Sequence, residues 1–225
     1  MLKTERMDRV RAALRAQGLT QMIVCDPKSV WYLTGVAVEP YERLLALYLP
    51  TEGEPVLFLN RLFNVPEPPC KAVWHTDTDR PVAQIAAVVD AGRPLGIDKE
   101  WPAKFLIPLM EAHPGMQVVL SSDCVDDCRA CKDAEEQTLM REASRINDAV
   151  NEAAKHYVKA GMTEREVAEF IDAQFRAHGC EGPSFTTIVS FGANAADPHH
   201  EPDDTVLKEG DCVLFDMGCV KGRYC

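Results

Sequence analysis

Met7, Val10 and Leu14 are apolar at helical intervals within a charged opening, which predicts a first helix that Gly18 stops. The short apolar run MIVC, residues 22–25, follows as a strand, so the chain opens in an α/β pattern. Two further runs, LLALYLP at 44–50 and PVLFLN at 55–60, flank the turn-like TEGE and predict a strand hairpin. PVAQIAAVVDAG then reads as a helix before LGID, and AKFLIPLMEAH reads as another before the strand-like VVL at 118–120. Several helices packed on a mixed sheet account for this half.

From about Asp133 the pattern changes to long helices. Leu139, Ala143, Ile146, Val150, Ala153 and Tyr157 alternate four- and three-residue steps, which predicts one continuous buried stripe on a helix closed at Gly161. A second helix begins at once. Thr163 with Glu166 is a capping box, Val167, Ile171 and Phe175 supply the buried face, and Gly179 ends it. The strand-like FTTIVSF, the polar loop GANAADPHHEPDD, the strand CVLFDMG and a Lys221-Gly222 turn complete the chain. The change of pattern places a domain boundary between about residues 125 and 135, giving domains 1–130 and 131–225.

Composition narrows the function classes. With 46% hydrophobic and 26% charged residues the chain can bury a core. A net charge of -11 argues against nucleic acid or an anionic membrane surface as partner, since both need clustered Lys and Arg. The charged opening lacks the features of a secretory signal, and no run approaches a membrane span. Nine cysteines in such a chain fit reduced thiols, so the expected location is cytoplasmic.

Three groups of residues are candidates for chemistry. Cys124, Cys128 and Cys131 have the spacing of the cluster-binding loop of radical SAM enzymes, but too few residues follow for a barrel and Ala130 stands where an aromatic is usual. SSDCVDDCRACKDAEE also reads as helical, which lines the cysteines along one face as small packing groups. In ADPHHEPDD two histidines sit among carboxylates, in a loop that solvation alone could explain. Asp216 lies between Phe215 and Met217 in an apolar strand. Either it is buried and needs a metal or cation to compensate it, or it alternates onto a wet face.

The run from FTTIVSF to the C-terminal Cys225, behind the helices beginning RACKDAEEQTLMREASRINDA and GMTEREVAEFIDAQF, resembles the start of the pita-bread catalytic domain of Xaa-Pro dipeptidases and aminopeptidase P. His199 follows a proline, Gly210-Asp211 comes next, and Asp216-x-Gly218 sits in the strand 17 residues after His199, as in that family. VWYLTG at 30–35 is similar to the non-catalytic N-terminal domain of creatinase and prolidase relatives, so the resemblance covers nearly the whole chain.

The resemblance implies a creatinase-like N-terminal domain followed by an incomplete pita-bread domain. It implies that Asp216 is a bidentate ligand to one of two divalent ions, manganese, cobalt or zinc, and that His199 hydrogen-bonds the substrate or tetrahedral intermediate. Two such ions would activate a shared water and stabilise the charge developing on the carbonyl oxygen. The implied substrate is a peptide with proline at its second position, and the implied assembly a homodimer. His200 has no matching role. The bridging aspartate and the later His and two Glu ligands are implied past Cys225, so this polypeptide alone is expected to lack peptidase activity and to have a destabilised C-terminal half. Within the same fold, a metal-free creatine amidinohydrolase and a non-enzymatic binding or dimerisation module are the alternatives.

Overall fold

The computed structural model describes residues 2–225 and divides into two compact units, one ending at Cys131 and one spanning Lys132–Cys225. The first unit runs α1 (Thr4–Ala16), β1 (Gln21–Val24), α2 (Pro27–Thr34), β2 (Ala46–Pro50), β3 (Val56–Asn60), β4 (Lys71–His75), α3 (Pro81–Ala86), β5 (Leu95–Ile97), α4 (Ala103–Ala112), β6 (Val118–Leu120) and α5 (Asp123–Ala130). Its sheet has the order β4-β3-β2-β1-β5-β6. The β1–β2 and β2–β3 pairs are antiparallel, whereas β1–β5, β5–β6 and β3–β4 are parallel, so the sheet is mixed as expected.

Both faces of this sheet are covered, which explains its unbroken apolar runs. Met22, Val24, Leu47, Leu49, Leu57 and Leu59 point into one cluster with Leu14 of α1, Leu33 of α2 and Val125 of α5. Ile23, Ala46, Val56 and Phe58 point into the other, closed by Ile85 of α3 and Leu109 of α4. Successive side chains of a pleated strand alternate between faces, so a strand covered on both sides needs apolar residues at every position.

The sequence pattern passes over α2 and β4. Helix α2 nevertheless has clear end signals. Asp26 accepts from the Lys28 and Ser29 amides, Pro27 opens the helix, and Gly35 closes it at φ +76°. The helix expected over PVAQIAAVVDAG covers only Pro81–Ala86, the remainder being turns.

The continuous helix expected through SSDCVDDCRACKDAEE breaks at residues 131–133. Asp133 accepts from the Glu136 amide at 2.9 Å while Glu136 accepts from the Asp133 amide at 2.8 Å, and this reciprocal cap starts a new helix. Cys124 and Cys128 are buried in the first cluster, but Cys131 caps α5 and is exposed, so the three thiols do not share one buried face. Burial pushes the Cys124 thiol up to about 11, the opposite of what a thiolate ligand requires.

The second unit comprises α6 (Ala134–Tyr157), α7 (Glu164–Ala177), β7 (Gly182–Pro183), β8 (Ile188–Phe191), a 3-10 turn (Gly192–Ala196), β9 (Val213–Asp216) and β10 (Cys219–Val220). The stripe of α6 is rotated from its expected line. Glu136, Ala143, Val150 and Ala154 are buried, while Leu139, Ile146, Ala153 and Tyr157 are only partly so. Helix α7 follows expectation, with the Thr163–Glu166 capping box and Val167, Ile171 and Phe175 buried against Val189 and Phe191 of β8. The strands form two antiparallel pairs, β8 with β9 and β7 with β10. No helix among the described residues is long and apolar enough to cross a membrane.

Candidate functional site

The β8–β9 pair sets the direction of each side chain on it. Its register places Ile188 opposite Asp216, Val189 opposite Phe215, Ser190 opposite Leu214 and Phe191 opposite Val213. Directly paired residues share a face, so Val189 and Phe191, both buried, mark the core side, and Asp216 belongs with Ser190 on the other. Asp216 is exposed, which decides between the two readings of that strand: alternation carries it off the core side to the other face. Two positions along that face, the Ser190 hydroxyl is buried with no hydrogen-bond partner.

The glycines of the motif have mechanical roles. Gly210 turns the chain at φ +87°, and Asp211 closes the turn by accepting from the Lys208 amide at 3.0 Å as β9 approaches. A side chain at Gly218 would place its Cβ 2.5 Å from Ser184 Oγ.

His199 lies in the loop between the 3-10 turn and β9. It is exposed, and its backbone N–H donates to Asp197 Oδ1 at 2.9 Å. Among the described residues no hydrogen bond or ion pair joins it to Asp216. The pronounced polar constellation gathers instead around Glu164, the first residue of α7, whose side chain is fully buried.

Glu164 Oε1 accepts from the Phe191 backbone N–H at 2.7 Å and from Asn194 Nδ2 at 3.0 Å. Glu164 Oε2 accepts from His200 Nε2 at 2.7 Å and from the Asp203 backbone N–H at 3.2 Å. Because the carboxylate can only accept, His200 carries its proton on Nε2. The hydrogen bond to Glu164 raises the His200 pKa above the ordinary imidazole value against the opposing effect of desolvation. Asp203 is held below the usual carboxylate range by the Thr205 hydroxyl and amide, the latter at 2.7 Å.

Glu164, His200 and Asp203 are the described residues whose ligand atoms converge as a metal site would, lying within 4.8 Å of one another. The donor count opposes a cation there. Each Glu164 oxygen already takes two N–H groups, and Asn194 Nδ2 stands 3.1 Å from His200 Nε2. Sequence reasoning missed Glu164, Asn194 and Asp203 and left His200 without a role. The available signal was Thr163-Glu164-x-Glu166, where Glu164 passed as an ordinary first-turn acid beside the capping pair.

Residues 6–131 match the Creatinase/Prolidase N-terminal domain, and residues 138–225 match Metallopeptidase family M24. The chain belongs to the creatinase/prolidase N-terminal domain family, whose match spans more than half of it, and its second part is similar to metallopeptidase family M24. It is 30% identical over 235 residues to the putative dipeptidase YkvY of Bacillus subtilis, covering 98% of itself and 63% of that protein. An uncharacterized peptidase of Staphylococcus epidermidis is 30% identical over 220 residues, with 96% and 62% covered.

Among solved structures, the dipeptidase PepE of Mycobacterium ulcerans matches with a TM-score of 0.87 at 29% identity, covering 97% of this chain and 61% of PepE. A recombinant prolidase of Thermococcus sibiricus matches with a TM-score of 0.88 at 27% identity, covering 98% and 62%. The chain thus spans less than two thirds of the length of these relatives. Family M24 uses divalent metals, but Asp216 has no convergent partners among the described residues and the Glu164 group is satisfied by N–H donors. The side chains present do not fit a pair of ions.

Proposed function

We propose that this chain serves a metal-dependent exopeptidase that removes an N-terminal residue preceding proline, of the Xaa-Pro dipeptidase or aminopeptidase P type. The observation that carries this reading is the placement of Asp216. It is an exposed carboxylate on β9, reached 17 residues after an exposed His199, in a chain similar to a prolidase and to dipeptidases. An exposed carboxylate is a hard ligand suited to manganese, cobalt or zinc, and availability rather than geometry decides among them. His199, with a free imidazole edge, is the group proposed to donate to the substrate carbonyl.

One carboxylate cannot close a coordination set, so the 225 residues by themselves are proposed to have no peptidase activity. Reading the coding sequence past Cys225 is the first step, with an aspartate, a histidine and two glutamates expected there. The product of the whole reading frame and the 225-residue chain are then assayed on Xaa-Pro dipeptides and longer peptides with each ion. The expected result is metal-dependent cleavage by the former, abolished by Asp216→Asn, and none by the latter. Cleavage by the 225-residue chain, or full activity with Asp216→Asn, would overturn the proposal. A stop codon directly after Cys225 would replace it with a binding-module reading.

A further inference from the structure

Glu164 is fully buried, and nothing in the proposed chemistry uses it. A buried carboxylate is tolerated only where donors take up its lone pairs, and here the donors come from separate stretches of chain. Phe191 ends β8, Asn194 lies in the 3-10 turn, and His200 and Asp203 lie in the polar loop. The backbone adds to the same knot, with Glu164 N donating to Thr205 O and Arg165 N to Asp203 O, each at 3.2 Å. His199 sits inside the segment so gathered, directly before His200, and among the described residues its own imidazole makes no hydrogen bond. Its position is therefore set by its neighbours.

We infer that Glu164 is a positioning residue for His199: from the buried start of α7 it ties together the end of β8, Asn194, His200 and Asp203, and so fixes the course of the loop that presents the exposed imidazole. The inference rests on the reading of His199 as the substrate-facing group for its functional meaning, but the clamp itself is a property of this chain. Around His200 the charged groups are Glu164 from α7 and Asp203 and Asp197 from its own loop. All are acidic, so the imidazolium has one strong partner at 2.7 Å and two weaker ones that favour the same state.

The test uses the 225-residue chain with isotope-labelled histidine, as parent, Glu164→Gln and His200→Gln, followed by NMR of the imidazole rings and by amide exchange. In the parent, His200 titrates above the ordinary imidazole value, and the Phe191 and Asp203 amides are protected. In Glu164→Gln the His200 midpoint falls, protection of those two amides drops about tenfold or more, and the His199 signals narrow as the loop loosens. His200→Gln keeps Phe191 protected while His199 still loosens, and it decides the matter if Glu164→Gln does not fold. Unchanged His199 line widths in folded His200→Gln would overturn the inference. So would loss of the His200 Nε2 proton when zinc is titrated into the parent, which would make the cluster a ligand site. Failure of the peptidase reading leaves all these signals as they are, because none is read through turnover.

Discussion

Ser190 and Asp216 share a face of the β8–β9 pair but differ in what water can reach. The Ser190 hydroxyl is buried and unpartnered, so it carries a desolvation cost with no hydrogen bond to offset it. Ser190→Ala removes that cost with little change in volume. The expected result is a chain unchanged or stabilised by up to about 1 kcal/mol, read as a shift of the urea midpoint, and a loss of 1 kcal/mol or more would show an unrecognised partner.

His200 gives a second prediction through its contact with Glu164. Its folded pKa is raised from 6.5, so its contribution is fully present below that value and is lost as pH climbs through the raised folded pKa. Asp203 has the opposite sign. Its folded pKa is lowered from 3.8, so its contribution holds above that value and fades as pH falls below it. These two contributions should therefore stay level between their windows, and the His200 contribution should decline on the alkaline side from near neutrality. Thermal melts across pH check this, and His200→Gln should remove the alkaline decline.

The elements show which parts of the fold were legible and why. Helix α7 was read completely because Thr163, Glu166, Val167, Ile171 and Phe175 all obey one period and one cap, and in the structure they bury one face against β8. Thr163→Ala removes the acceptor for the Glu166 amide at 3.2 Å, so it should cost about 1 kcal/mol in a denaturant titration, with Thr163→Ser restoring most of it. Strands β7 and β10, at two residues each, are too short to show any period, and the helix read through SSDCVDDCRACKDAEE overran the end of α5 because the helical pattern continues through the Asp133 cap. The site was legible only in part. His199 and Asp216 stand in a recognisable spacing, whereas Glu164 looks like any first-turn acid until the loop folds back over it. That return joins residues about 30 positions apart, and no local pattern records it.

At the scale of the whole molecule, the two units differ in how their sheets are completed. The first has a six-stranded sheet with an apolar cluster on each face, whereas the second has two separate two-stranded pairs sharing one cluster. Isolated strand pairs are marginal without further cover, and Phe185, Val206 and Val213 in the second unit remain exposed. The second unit should open at lower denaturant than the first, and the cysteines provide a reporter in each. Cys25, Cys124 and Cys128 are buried in the first unit, and Cys180 and Cys219 in the second. Burial raises the Cys25 thiol well above its usual value, and burial with the neighbouring Cys180 carries Cys219 up to about 12. Native thiols of this kind react slowly because the thiolate is the nucleophile, so labelling reports opening. Exposed Cys131, Cys212 and Cys225 should react at once. With rising urea, pulse labelling followed by peptide mass analysis should then modify Cys180 and Cys219 before Cys25, Cys124 and Cys128. Simultaneous modification of both sets would mean that the units unfold as one, and that the second draws its stability from outside its own strands.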